Sequence, residues 1–122
     1  MAFKLKGTGV NKTKIYLQPT ADAAAPGSRH WEYVTADAAL VVEACGYIVT
    51  TSEDGRLAYD MLQVGDVIWV YTVVAILDTR PISDDKAGGI TGLQAVVVVR
   101  KDADVLELSG PLFGTTTVSY TS

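Results

Sequence analysis

The sequence predicts a mainly β domain: a small β-sandwich or barrel with one short helix near residues 35–46 and an extended N-terminal arm. Three observations carry this. Val67 to Leu77 is almost wholly β-branched, aromatic or apolar, which is the composition of a strand. Leu93 to Arg100 repeats that composition and runs into Lys101-Asp102-Ala103-Asp104, a hairpin-like turn, before Val105 to Leu108 returns. Glycine, proline and aspartate fall between the strand-like runs rather than within them. With 122 residues and 48% apolar residues, the chain makes one domain with a core of its own.

The elements follow in order. Phe3–Leu5 and Thr13–Leu17 read as short extended pieces separated by Gly7 and Gly9, and residues 18–30 read as a loop punctuated by Pro19, Pro26 and Gly27. Trp31 to Val34 begins a strand. Thr35 to Gly46 has the marks of a helix: Thr35 at the N-cap, Asp37 in the first turn, and Gly46 at the left-handed C′ position. Leu40, Val41 and Ala44 would form its buried stripe. Tyr47–Thr51 is β-prone, Ser52–Gly55 reads as a turn, and Arg56–Met61 as a single helical turn. The Val67–Leu77 run would span about 36 Å at ~3.3 Å per residue, so a bend or bulge is expected in it. Asp78 to Gly92 reads as a long loop, and Thr115 to Tyr120 as a last strand.

Charge is unevenly placed. The chain carries ten lysines and arginines against fourteen acids. Lys4, Lys6, Lys12 and Lys14 lie in the first 21 residues with no acid, leaving six bases and fourteen acids in the rest. A basic arm of residues 1–21 on an acidic body of residues 22–122 reads either as a solubilising, partly disordered terminus or as an arm that lies on a neighbouring acidic surface, a partner protein or a sister subunit. Nucleic acid is not expected as a partner, because the acidic body repels phosphate. No apolar stretch is long enough for a membrane helix. The opening Met1–Gly7 lacks the apolar run of a signal peptide, so synthesis in a cytoplasm is expected.

The strands hold a second clue. In Val67–Leu77 both alternating faces are apolar, and Leu93–Arg100 behaves likewise. Strands in a small sandwich normally keep one polar face. Either the chain's own helix and loops cover the second face or another subunit does. The subunit reading makes Trp69, Tyr71, Val73, Val97 and Val99 interface candidates, since obligate interfaces resemble a core cut in half. Trp31, Tyr33, Trp69 and Tyr71 have a second reading as a sugar-stacking platform.

Catalytic and metal chemistry finds little support. Gly7–Thr13 lacks the glycine that a phosphate loop places before Lys-Thr. Asn11-Lys12-Thr13 matches a glycosylation sequon by chance. One cysteine, Cys45, and one histidine, His30, make neither a disulfide framework nor a two-histidine metal motif. Asp78, Asp84, Asp85, Asp102 and Asp104 do not match a calcium loop. No catalytic residue, cofactor or metal is expected, and the chain is read as a non-enzyme.

Two segments, Glu43-Ala44-Cys45-Gly46-Tyr47 and Asp60-Met61-Leu62-Gln63-Val64-Gly65-Asp66-Val67-Ile68-Trp69-Val70, resemble a group of small structural proteins of tailed bacteriophages. Val96–Val99 and Thr115–Val118 extend the resemblance, which covers about residues 43–120. It implies a capsid decoration (cement) or head-fibre protein: β-rich, homotrimeric, and carried on the outer surface of the virion head. The expected partners are other copies of the chain and the phage major capsid protein. On this reading Phe3, Lys4, Leu5, Lys6, Lys12 and Lys14 of the arm contact the capsid. The alternative is a receptor- or carbohydrate-binding head-fibre or tail domain.

Overall fold

The computed structural model describes residues 3–6, 15–19, 30–37, 41–42, 46–76, 82–109 and 116–117. They form a mainly β fold, one curled mixed sheet shaped as a half-barrel, with short helices. The strands are β1 (Leu17–Pro19), β2 (His30–Thr35), β3 (Ile48–Val49), β4 (Val67–Val73), β5 (Ile90–Lys101), β6 (Val105–Leu108) and β7 (Thr116–Thr117). Helix α1 spans Glu53–Met61 and α2 spans Ile82–Ala87. The sheet order is β1-β2-β4-β5-β6-β3, with β7 also on β5. Only the β2–β4 pairing among these is parallel. It requires a crossover, which the segment holding β3 and α1 supplies.

This topology explains the two-faced strands. β4 lies between β2 and β5, and β5 between β4 and β6, so both are interior strands. Trp31, Tyr33, Ile68, Val70, Val96 and Val98 join one buried core with Leu17, Ile48 and Leu106, to which α1 adds Ala58 and Leu62. The expected bend in the long run is real. Strand β4 stops at Val73 after a register shift at Thr72/Val73, and Val74 is 66% exposed. A second shift between Val98 and Arg100 changes the phase of β5. Val98 is buried, Val99 and Arg100 both lie exposed, and Lys101 turns back to donate from Nζ to the Leu62 carbonyl at 3.0 Å. Without that extra residue, strict alternation would put the Arg100 guanidinium in the core.

Four expectations need correction. The helix expected over residues 35–46 does not start at Thr35, which ends β2. The Thr35 Oγ1 accepts instead from the Asp37 amide at 2.9 Å, a local turn. Helical backbone is described at Val41 and Val42, and Val42 is the buried one, at 1% against 38% for Val41. Leu40, Ala44 and Cys45 lie outside the described residues. Gly46 does hold the expected positive φ, 87°. Second, the supposed turn at Ser52–Gly55 is the start of α1. Ser52 is its N-cap, accepting from the Gly55 amide at 3.0 Å, with Glu53 and Asp54 in the first turn. Third, the stretch expected as a loop over Asp78–Gly92 contains α2 and the start of β5.

The fourth correction concerns the arm. Phe3 and Leu5 are buried in the core, at 5% and 7% exposure, together with Tyr16 and Leu17. The Leu5 carbonyl accepts from the Tyr16 and Leu17 amides, and the Leu5 amide donates to Asp54 of α1 at 3.3 Å. The Phe3 ring centroid lies 5.2 Å from that of Tyr33 and 5.9 Å from that of Tyr47. The N-terminal segment is therefore part of the fold, because alternation points Phe3 and Leu5 inward and leaves Lys4 and Lys6 outside.

Gly55 is required by close approach: a Cβ there would lie 2.0 Å from the Val49 carbonyl oxygen. Gly55→Ala should cost about 3 kcal/mol, in the upper range for overpacking, against about 1 kcal/mol for Ser52→Ala. Urea unfolding of both variants checks the order. Leu5→Ala should lose about 2–4 kcal/mol, where an arm independent of the core would lose almost nothing.

Candidate functional site

The outer face of the sheet, opposite the core, follows from the register. His30, Glu32 and Val34 of β2 stand opposite Val67, Trp69 and Tyr71 of β4, which in turn stand opposite Val97, Ala95 and Leu93 of β5. Two of the interface candidates, Trp69 and Tyr71, are thus neighbours here, and Val97 faces Val67. Val73 is different. At 2% exposure it is buried within this chain, beyond the shift that ends regular pairing, and offers no surface to a partner.

Polar partners from this chain already hold both outer-face aromatics. The Trp69 Nε1 donates to His30 Nδ1 at 3.1 Å, and the two rings stack at 25° with centroids 6.4 Å apart. That bond places the neutral histidine's proton on Nε2. The Lys86 ammonium of α2 sits 4.4 Å from the Tyr71 ring centroid and 3.3 Å from Glu32 Oε1. Burial, then the Glu32 carboxylate, raises the pKa of Tyr71. With His30 on one ring and Lys86 on the other, a flat stacking platform for a sugar is not what these rings present. Trp31 and Tyr33 are on the core side, at 5% and 3% exposure.

Helix α2 reaches the Glu32–Tyr71 end of the face. The other end carries valines: Val67 and Val97 half-buried, Val99 49% exposed after the β5 register shift, and Val64 59% exposed in the turn before β4. Lys4 and Lys6 are exposed beside buried neighbours, so the N-terminal strand-like segment presents two ammonium groups from an anchored backbone. Lys12 and Lys14 lie outside the described residues, as do residues 7–13 and Asp78.

The buried acids and phenols form internal networks. The Tyr47 hydroxyl donates to Asp37 Oδ2 at 2.6 Å and lies 2.5 Å from the Tyr33 hydroxyl. Burial drives the pKa of both tyrosines up, and for Tyr47 the nearby Tyr33 and Asp37 push further in the same direction. Neutral, hydrogen-bonded phenols of this kind hold structure rather than abstract protons. Asp85 is buried at 1% exposure, and Asp102 pairs with Arg100 at 3.1 Å. Among the described residues no three His, Cys, Asp or Glu side chains converge on a metal position. None of the described helices is long and apolar enough to cross a membrane.

One concave feature stands apart from the sheet face. A cleft of about 250 Å³ between α1 and the β5–β6 turn is lined by Thr50, Arg56, Tyr59, Asp60, Ala103 and Asp104. No signal for it exists along the sequence, because its residues come from two stretches, 50–60 and 103–104, far apart in the chain. Comparison with known proteins finds no match to this chain, whether among family models, curated proteins or solved structures.

The tyrosine pair has a pH consequence. Both phenols titrate above their ordinary value of 10.0 when folded. The unfolded chain therefore gives up these protons first, and folding stability present below pH 10 falls as pH rises past it. The expected slope is about 1.4 kcal/mol per pH unit for each phenol kept neutral. Denaturant unfolding between pH 8 and 11 checks this, and Tyr47→Phe should flatten the slope.

Proposed function

We propose that this chain is a non-enzymatic structural protein of a tailed-phage virion: a capsid decoration protein that binds the outer head surface as a homotrimer and stabilises it. The observation that carries the reading is a valine group at one end of the outer face: Val67 and Val97 half-buried on two interior strands, with Val99 of β5 and Val64 of the turn before β4 exposed beside them. Such positions are normally covered, and the proposed cover is a second copy of the same chain. Four valines fall well short of the ~1,200 Å² expected of a stable pairwise interface. A closed ring supplies the rest in solution, since each copy buries surface against two neighbours, and attachment to the capsid adds avidity on the particle. Trp69, held in place by His30, borders that contact.

The second contact is electrostatic. Lys4 and Lys6 project from a segment locked down by Phe3 and Leu5, and suit an acidic patch on the major capsid protein. Anchoring matters, because a lysine on a fixed backbone loses less entropy on docking than one on a free tail. This contact weakens with salt, as the Debye length falls from about 10 Å at 0.1 M to about 3 Å at 1 M.

Light scattering of the pure protein, or of protein released from particles, should give a mass near three chains. Val99→Glu puts a charge in the exposed valine group without touching the core, so circular dichroism should be unchanged. The ring should dissociate and binding to heads should fall at least about tenfold. An unchanged mass and unchanged binding in this variant would defeat the reading.

A further inference from the structure

We propose that the cleft between α1 and the β5–β6 turn is a binding site for one neutral hexose unit. It lies on a different part of the molecule from the valine group and does not depend on the decoration reading.

The argument begins with what the side chains there leave undone. Arg56 and Asp60 stand four residues apart on α1, with the base on the N-terminal side, the weaker orientation for a helical pair. Among the described residues the Arg56 guanidinium makes no ion pair, although two carboxylates line the same cleft. The Asp104 carboxylate has one long contact, from Thr50 Oγ1 at 3.5 Å. The backbone beneath is rigid by contrast. The Thr50 amide donates to the Asp104 carbonyl at 2.9 Å, and the Tyr59 hydroxyl donates to the Asp102 carbonyl at 2.5 Å. Lys101 lies 4.5 Å from the Tyr59 ring centroid and fixes that ring from one side. The cleft is therefore a firm base carrying one fork of donors and two acceptor carboxylates with open valences.

Size and charge select the ligand. About 250 Å³ is below the ~300–1,000 Å³ of sites for drug-sized molecules, so one small ring fits and a nucleotide does not. Arg56 and the Lys101 ammonium beside Tyr59 balance the two carboxylates, so the cleft carries no net charge and suits a neutral ligand better than a phosphate or an acidic sugar. Neighbouring ring hydroxyls both donate and accept. They can donate to Asp60 and Asp104 while accepting from Arg56, in charge-assisted bonds. A simple amine is the competing ligand, since it would satisfy the carboxylates but leave Arg56 unpaired. A single unit in so open a cleft binds weakly, and a multivalent particle would multiply it.

The test is an amide-resolved NMR titration of the full chain with the methyl glycosides of glucose, galactose and mannose at millimolar concentrations. At least one should shift the signals of Thr50, Arg56, Tyr59, Asp60 and Asp104 together. Arg56→Gln and Asp104→Ala are exposed substitutions and should weaken that binding about tenfold while leaving the thermal midpoint unchanged. The proposal is overturned if none of the three glycosides moves these signals. It is equally overturned if the variants bind as the parent does, or if n-butylamine shifts the signals and the glycosides do not.

Discussion

The Asp66 carboxylate joins parts of the chain that nothing else joins so closely. Its Oδ2 accepts from the Trp31 indole at 3.1 Å and from the Gln63 amide at 2.9 Å, and the residue is 3% exposed. Its backbone amide closes the Gln63–Asp66 turn, and its carbonyl accepts from Val98. Gly65, at φ 96°, turns its own amide onto the Val98 carbonyl. One residue thus ties β2, the end of α1, the start of β4 and the middle of β5. Losing it would orphan buried donors at about 1–3 kcal/mol each. The parallel β2–β4 pairing, which sets Trp31 beside Ile68, rests on this anchor.

From that anchor the rest of the molecule can be ordered. With β2 and β4 aligned, β4 and β5 become interior strands and their apolar faces acquire reasons. One face meets α1, Phe3 and Leu5. The other meets α2 at one end and is left with exposed valines at the opposite end. The core face also holds a cost that packing has not removed. Gln94 is 5% exposed, and among the described residues both polar atoms of its amide lack a hydrogen-bond partner. Such a group detracts from stability, and the hydrophobic contacts around it must offset that.

The two functional readings use different chemistry at different places. Shell attachment draws on apolar burial and on lysines held by a folded backbone. The polar cleft draws on unpaired charges over a hydrogen-bonded floor. A protein displayed in many copies can carry both, because weak sites become useful through repetition. The buried Asp37–Tyr47–Tyr33 network serves neither: it locks the chain after β2 to the start of β3.

Composition and local pattern were enough for the class of fold, the strand cores, the β5–β6 hairpin and the left-handed Gly46. Those features depend on neighbours in sequence: β-branched runs, turn residues, a glycine where φ must be positive. Helix α1 has an ambiguous local signal, because Ser52-Glu53-Asp54-Gly55 suits a turn as well as an N-cap. Gly55 looks like a helix breaker until Val49 is seen against it. Phe3 and Leu5 were beyond local reading, since two apolar residues among four lysines look the same on a tail as in a core. Their burial depends on Tyr33, Tyr47 and Tyr16 being brought to them. The Arg56–Asp104 cleft is the extreme case. Two stretches far apart in the chain, residues 50–60 and 103–104, meet only because the sheet curls, and no spacing along the chain encodes that meeting.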